Sequence, residues 1–129
     1  MAQNPTITAN LVDNQFICKN EVGAEVALGA PGPKASEALL MAIAGCSGGT
    51  MRAMMAKDGW NLSKLEISVE GIPSEDKPRR YAEVNVHYTI ECKGLPQEKA
   101  AAYVQATGEN CFVMQSVSSK KNLTFTLLS

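Results

Sequence analysis

At 129 residues the chain is long enough for one compact domain, and its 45% hydrophobic and 19% charged content excludes a disordered polypeptide. Twelve basic and thirteen acidic residues give a net charge of −1, which offers no electrostatic attraction to nucleic acid or to an anionic membrane surface. Aromatic residues make up only 5%, too few for a base-stacking platform.

The opening "MAQNPTITAN" has neither a basic nor an apolar leader region, so no secretory signal is expected and a cytoplasmic location follows as an expectation. Three short strands are predicted around 5–12, 15–19 and 24–28, separated by turn signals at Asp13-Asn14 and between Asn20 and Gly23. The Gly/Pro cluster "GAPGPK" then breaks the sheet and introduces a helix from about Ser36 to Lys57, stopped by "KDGW" with Gly59. That helix is apolar nearly all round, which predicts burial on most faces. Its uncharged run, Ala38 to Met51, falls short of the roughly 20 residues that cross a bilayer, so a buried core helix is expected rather than a span.

"KLEISVEG" alternates, with Leu65, Ile67 and Val69 on one side, and reads as a half-buried strand. "YAEVNVHYTIEC" alternates as well, placing Ala82, Val84, Val86, Tyr88 and Ile90 inward and His87 on the solvated face. The charged "IPSEDKPRR" between them reads as a turn whose Arg79 and Arg80 are solvated. Pro96 suits the first turn of a second helix, "PQEKAAAYVQATGEN", and "NLTFTLL" reads as a closing strand. The order βββ-α-ββ-α-β predicts a single α+β domain over 1–129 with mainly antiparallel sheet.

Chemistry is concentrated in the thiols. Cysteines 18, 46, 92 and 111 contain no C-x-x-C pair, and a single His87 cannot complete a zinc set, so neither a metal nor a resident cofactor is expected. In a reducing compartment a working thiol or inert buried thiols are better readings than a disulfide framework. Cys46 lies mid-helix in "AIAGCSGGT", beyond the reach of the macrodipole, and burial alone would raise its pKa. A reactive Cys46 therefore needs a cation or a hydrogen-bond donor from elsewhere in the fold. Glycines 45, 48 and 49 each cost the helix about 1 kcal/mol relative to alanine. Gly45 and Gly49 share a face, which fits either tight core packing or space for a substrate beside the sulfur. Cys111 stands at the end of the second helix, and could meet Cys46 if the two helices pack. Such a pair can carry peroxide reduction, the first thiol forming a sulfenic acid and the second condensing with it; two buried structural thiols are the other reading.

Together, "GPKASEALLMAIAGCSGG" and, sixty-five residues on from Cys46, "ENCFVMQSV" resemble the two cysteine segments of the OsmC/Ohr superfamily, the osmotically inducible and organic hydroperoxide resistance proteins. The strand pair joined by "DKPRRY" and the closing "LTFTLL" fall where that family has them, so the resemblance covers essentially the whole chain. It implies a mainly antiparallel α+β fold with a long buried central helix, an intertwined homodimer, and reduction of organic hydroperoxides to alcohols by an external dithiol or lipoyl-type reductant. By the same resemblance Cys46 is the peroxidatic thiol, Cys111 the resolving thiol, and Glu37 matches a helix-opening glutamate that orients an activating arginine.

Two departures stand out. Glu37 lies nine positions before Cys46 rather than ten, on the opposite face of a regular helix, as in a less characterised branch of the superfamily. No arginine precedes Arg52, which cannot reach the Cys46 of its own helix; Lys19, or Arg79 or Arg80 of a partner subunit, could substitute. The lack of an evident cation leaves a second reading, a dimer of the same fold that binds a small apolar ligand or senses redox state without efficient turnover. Arg52 reads as a snorkelling structural residue, and Cys18 and Cys92 as strand filling or exposed spectators.

Overall fold

The computed structural model describes residues 4–128. The chain divides into two compact units, residues 1–39 and 40–129, and one helix begins in the first and continues through the second.

The first unit is a three-stranded antiparallel meander of β1 (Thr8–Val12), β2 (Gln15–Lys19) and β3 (Glu25–Leu28). Asp13, with φ of 56°, makes the tight reversal between Val12 and its partner Gln15, since aspartate tolerates the left-handed conformation such hairpins require. At the second reversal the Asn20 side chain accepts from the backbone N–H groups of Val22 and Ala24, and Lys19 pairs with Glu25 across the hairpin at 3.4 Å. The register puts Ala9, Leu11, Phe16, Cys18, Val26 and Leu28 on one side of the sheet. That side is an apolar face, yet Leu11, Phe16 and Val26 are 64%, 50% and 55% exposed.

The helix α1 runs Ala35–Lys57. Its start is capped from within: the Glu37 carboxylate accepts a hydrogen bond from the Lys34 backbone N–H at 2.9 Å, the return half of a capping box. By length and composition alone α1 could cross a membrane. Its course through the second unit is that of a core helix, with Ile43, Ser47, Met51 and Met55 forming a stripe at four-residue spacing that is fully buried. Within the single chain that burial is confined to this stripe. Met41 is 57% exposed, and Ala42, Gly45, Gly49, Arg52 and Ala53 are exposed too. Apolar composition does not say how many neighbours a helix has.

The remaining elements of the second unit are β4 (Leu62–Pro73), β5 (Tyr81–Cys92), α2 (Gln97–Asn110), α3 (Phe112–Gln115) and β6 (Lys120–Leu128). Strands β4 and β5 form a long antiparallel hairpin, and β6 joins β5 in parallel because α2 and α3 carry the chain back along the sheet before it re-enters. Alternation along β5 is as the sequence predicts: Val84, Val86, Tyr88, Ile90 and Cys92 are buried. With Ile43, Met51 and Met55 of α1 and Ala100 and Val104 of α2 they form one core. Close approach occurs at Gly48, where an added Cβ would stand 2.8 Å from the Ile67 Cδ1 of β4; Gly45 and Gly49 have nothing within 4 Å.

On the outer face of the sheet, His87 is hydrogen-bonded to Thr124 and Thr126 of β6 at 2.7 and 3.0 Å. Arg80 is held within its own loop, its guanidinium 3.1 Å from the Asp76 carboxylate and 2.9 Å from the Pro78 carbonyl. Burying a side chain such as Ile43 contributes roughly 1.5–3 kcal/mol, and truncating it also leaves a cavity. Ile43→Ala should therefore lower unfolding free energy by about 2–5 kcal/mol in urea titrations followed by circular dichroism.

Candidate active site

Cys46 occupies the turn of α1 between the buried residues Ile43 and Ser47, so docking of the Ile43–Met55 stripe fixes where its sulfur lies. The sulfur is half-buried and reduced. Facing it is the junction between α2 and α3, where Cys111 serves as the C-cap of one helix and the N-cap of the next. Cys111 holds an extended conformation, φ −71° and ψ 115°, with its backbone N–H bonded to the Thr107 carbonyl at 2.9 Å. That break in helical direction turns the next peptide groups toward α1.

The thiols of Cys46 and Cys111 act on each other electrostatically, and the environment treats them oppositely. The backbone N–H of Val113 pulls the Cys46 pKa below that of an ordinary cysteine; burial opposes it, and the Cys111 thiol, the Phe112 N–H and the Thr50 hydroxyl assist. Cys111 is fully buried, and desolvation raises its pKa, with the neighbouring Cys46 adding to the rise and the Met114 and Val113 N–H groups opposing it. Cys46 is thus the more acidic of the two thiols, and Cys111 the one that holds its proton more tightly. The stabilising donors are mainly peptide N–H groups of α3, the hydrogen-bond donor rather than the cation of the two options that the sequence leaves open.

The sequence-predicted site residues fare differently. Cys46 and Cys111 are brought together. Glu37 is exposed in the first unit with a carboxylate oxygen engaged in the helix cap. Arg52 is exposed on α1, as a snorkelling residue would be. Cys92 is strand filling: it is buried, its Sγ lies 3.3 Å from the Asn61 carbonyl, and burial pushes its pKa up. Cys18 is half-exposed on the apolar face of the first sheet. Sequence reasoning missed α3 and its N–H groups, because a four-residue helix has no periodicity to detect and a backbone donor has no residue type. It also gave no part to Ser47, whose hydroxyl is buried in the core beside that of Tyr88. Among the described residues no group of three or more histidine, cysteine or acidic side chains could hold a metal.

This architecture defines an α+β protein with one thiol on a core helix and a second, which influences it, at a helix junction. The OsmC-like protein family matches residues 28–127, and the chain belongs to it. Among solved structures it is similar to an OsmC-like protein from Mycoplasma pneumoniae, 22% identical over the full length of both chains with a TM-score of 0.88. A hypothetical protein from Aquifex aeolicus VF5 is 21% identical over 98% of both chains, with a TM-score of 0.87. The organic hydroperoxide resistance protein OhrB of Bacillus subtilis is 17% identical over 98% of both, with a TM-score of 0.66. At these identities the likeness establishes the fold alone. Comparison with curated proteins gives no match.

Two outcomes follow from the site. Iodoacetamide should alkylate Cys46 with a rate that reaches its plateau at lower pH than for free cysteine, because a lowered pKa leaves more thiolate there, while the buried Cys111 stays unmodified in peptide mapping. Glu37→Ala should cost about 0.5–1 kcal/mol in thermal or urea unfolding through loss of the helix cap.

Proposed function

We propose that the chain is a thiol-dependent peroxidase that reduces organic hydroperoxides to alcohols through Cys46 and Cys111. The reading is carried by the placement of two free thiols, Cys46 on α1 and Cys111 at the α2–α3 junction, that act on each other while their surroundings displace their pKa values in opposite directions. Family membership and the organic hydroperoxide resistance proteins among its structural relatives support it.

In this reading the Cys46 thiolate attacks the terminal peroxide oxygen, the O–O bond breaks, and the alkoxide leaves as alcohol after taking a proton. Cys46 becomes a sulfenic acid. Cys111 then attacks that sulfur and the hydroxyl departs as water, leaving a Cys46–Cys111 disulfide. An external dithiol of the lipoyl class restores both thiols, with no resident cofactor. Peptide N–H groups stabilise the thiolate in the ground state and stay in place as it reacts, so no side chain must reorient. The apolar surroundings favour alkyl or aryl hydroperoxides, because placing hydrogen peroxide there sacrifices its hydration for little return. Glu37 is assigned a part through the opening turn of α1, which its carboxylate caps.

The whole chain acts as one domain, and the working form is a homodimer. The exposed apolar face of the first sheet and the exposed Met41, Gly45 and Gly49 of α1 support this: both are surfaces a second copy would cover. The site of action is cytoplasmic, where the thiols stay reduced between turnovers.

The test is to treat reduced protein with one equivalent of cumene hydroperoxide and map cysteines by mass spectrometry. A Cys46–Cys111 disulfide should form within the mixing time of the experiment and be absent in Cys46→Ser. Free thiols beside unconsumed peroxide would instead favour a ligand-binding or redox-sensing dimer of the same fold.

A further inference from the structure

Away from the thiols, the last turn of α1 and the facing side of α2 border a cavity of about 400 Å³, within the range of roughly 300–1,000 Å³ that small-molecule sites occupy. Its apolar lining comes from Met54 of α1 and from Ala102 and Ala106 of α2. Met54 lies two helical turns beyond Cys46, roughly 12 Å along the axis, so the cavity is separate from the thiol pair.

The polar lining is Lys57, Asp58, Lys99 and Tyr103. Asp58 directly follows α1, where the helix dipole disfavours an acid. The Tyr103 hydroxyl of α2 donates a hydrogen bond to its carboxylate, which ties the two helices together beside the cavity. Burial and the neighbouring Asp58 push the Tyr103 pKa up to about 12, so the hydroxyl keeps its proton and the link holds through the neutral range.

The two lysines have no such partner. A helical lysine commonly pairs with an acid three or four positions away. Positions 53, 54, 60 and 61 around Lys57, and 95, 96, 102 and 103 around Lys99, hold no acid. Among the described residues no hydrogen bond or ion pair engages either ammonium group. Two ammonium groups and one carboxylate leave the lining with an excess of one positive charge.

We propose that this cavity binds a small organic anion with an apolar body, an aliphatic or aryl carboxylate of medium length. The hydrocarbon part lies against Met54, Ala102 and Ala106, and the carboxylate pairs with Lys57 and Lys99. The charge excess disfavours a cation, an uncharged apolar molecule leaves both lysines unpaired, and an inorganic anion leaves the apolar lining uncovered. The assignment is independent of the peroxidase reading, because neither thiol takes part.

The test titrates the reduced, 15N-labelled chain with octanoate, and with octanol and octyltrimethylammonium as uncharged and cationic probes of equal chain length, followed by two-dimensional NMR. Octanoate should shift the amide resonances of residues 54–60 and 99–106 saturably, and bind about fivefold or more tightly than octanol, since each exposed ion pair adds up to a few-fold. Octyltrimethylammonium should leave them in place. Lys57→Gln combined with Lys99→Gln changes only exposed side chains and should reduce octanoate to the affinity of octanol. Ala106→Trp fills the cavity and should abolish the shifts while the far-ultraviolet circular dichroism is unchanged. Equal binding of octanol and octanoate, an octanoate affinity indifferent to loss of both lysines, or shifts centred on residues 44–50 and 111–114 overturns the proposal. Octanoate binding at this cavity in a protein that consumes no hydroperoxide supports the site and rejects the peroxidase reading alone.

Discussion

The burial of Ile43, Ser47, Met51 and Met55 in the core that α1 shares with β5 is the constraint that places the Cys46 thiol. These residues recur every four positions, so they lie along one line of the helix, and a buried line permits only one rotation of α1 about its axis. Cys46, adjoining Ser47, is thereby carried to the α2–α3 junction. A rotation of one residue, about 100°, would take the sulfur away from the Val113 and Phe112 N–H groups. Core packing thus does the work of aiming the thiol, and core truncations should disturb reactivity as well as stability.

The junction itself is a compact solution to a problem of electrostatics. A sulfur half removed from water tends to stay protonated, and the usual remedy is a nearby cation. Here the donors are peptide N–H groups freed by the interruption between α2 and α3, groups that a short helix leaves unpaired at its start. They serve Cys46 without placing a charged side chain in the core. The same junction fixes Cys111 by its backbone, through the bond to Thr107. Two thiols of one chemical type acquire opposite tendencies from their position alone: one meets donors, the other meets mostly hydrocarbon.

Much of this was legible beforehand, and the parts that were not have a common cause. The strands at 15–19 and 81–92, the helix ending at Lys57 and the one ending at Asn110 stand where alternation, caps and breakers place them. The closing strand was legible too, but its parallel pairing with β5 was not, since direction depends on the path of the intervening chain. The sequence pointed to Gly45 and Gly49 as a shared face for tight packing or a substrate, but the close approach is at Gly48, which faces Ile67 of β4.

By itself the sequence determined the α+β order of elements, the inward face of β5 and the family, and it singled out the two cysteine segments. Those properties depend on local pattern and on motifs, which are written along one dimension. What lowers the Cys46 pKa and why Cys111 behaves otherwise were decided only by tertiary structure. Peptide N–H groups occur at every residue but proline, and a donor matters only once the fold has pointed it at a sulfur.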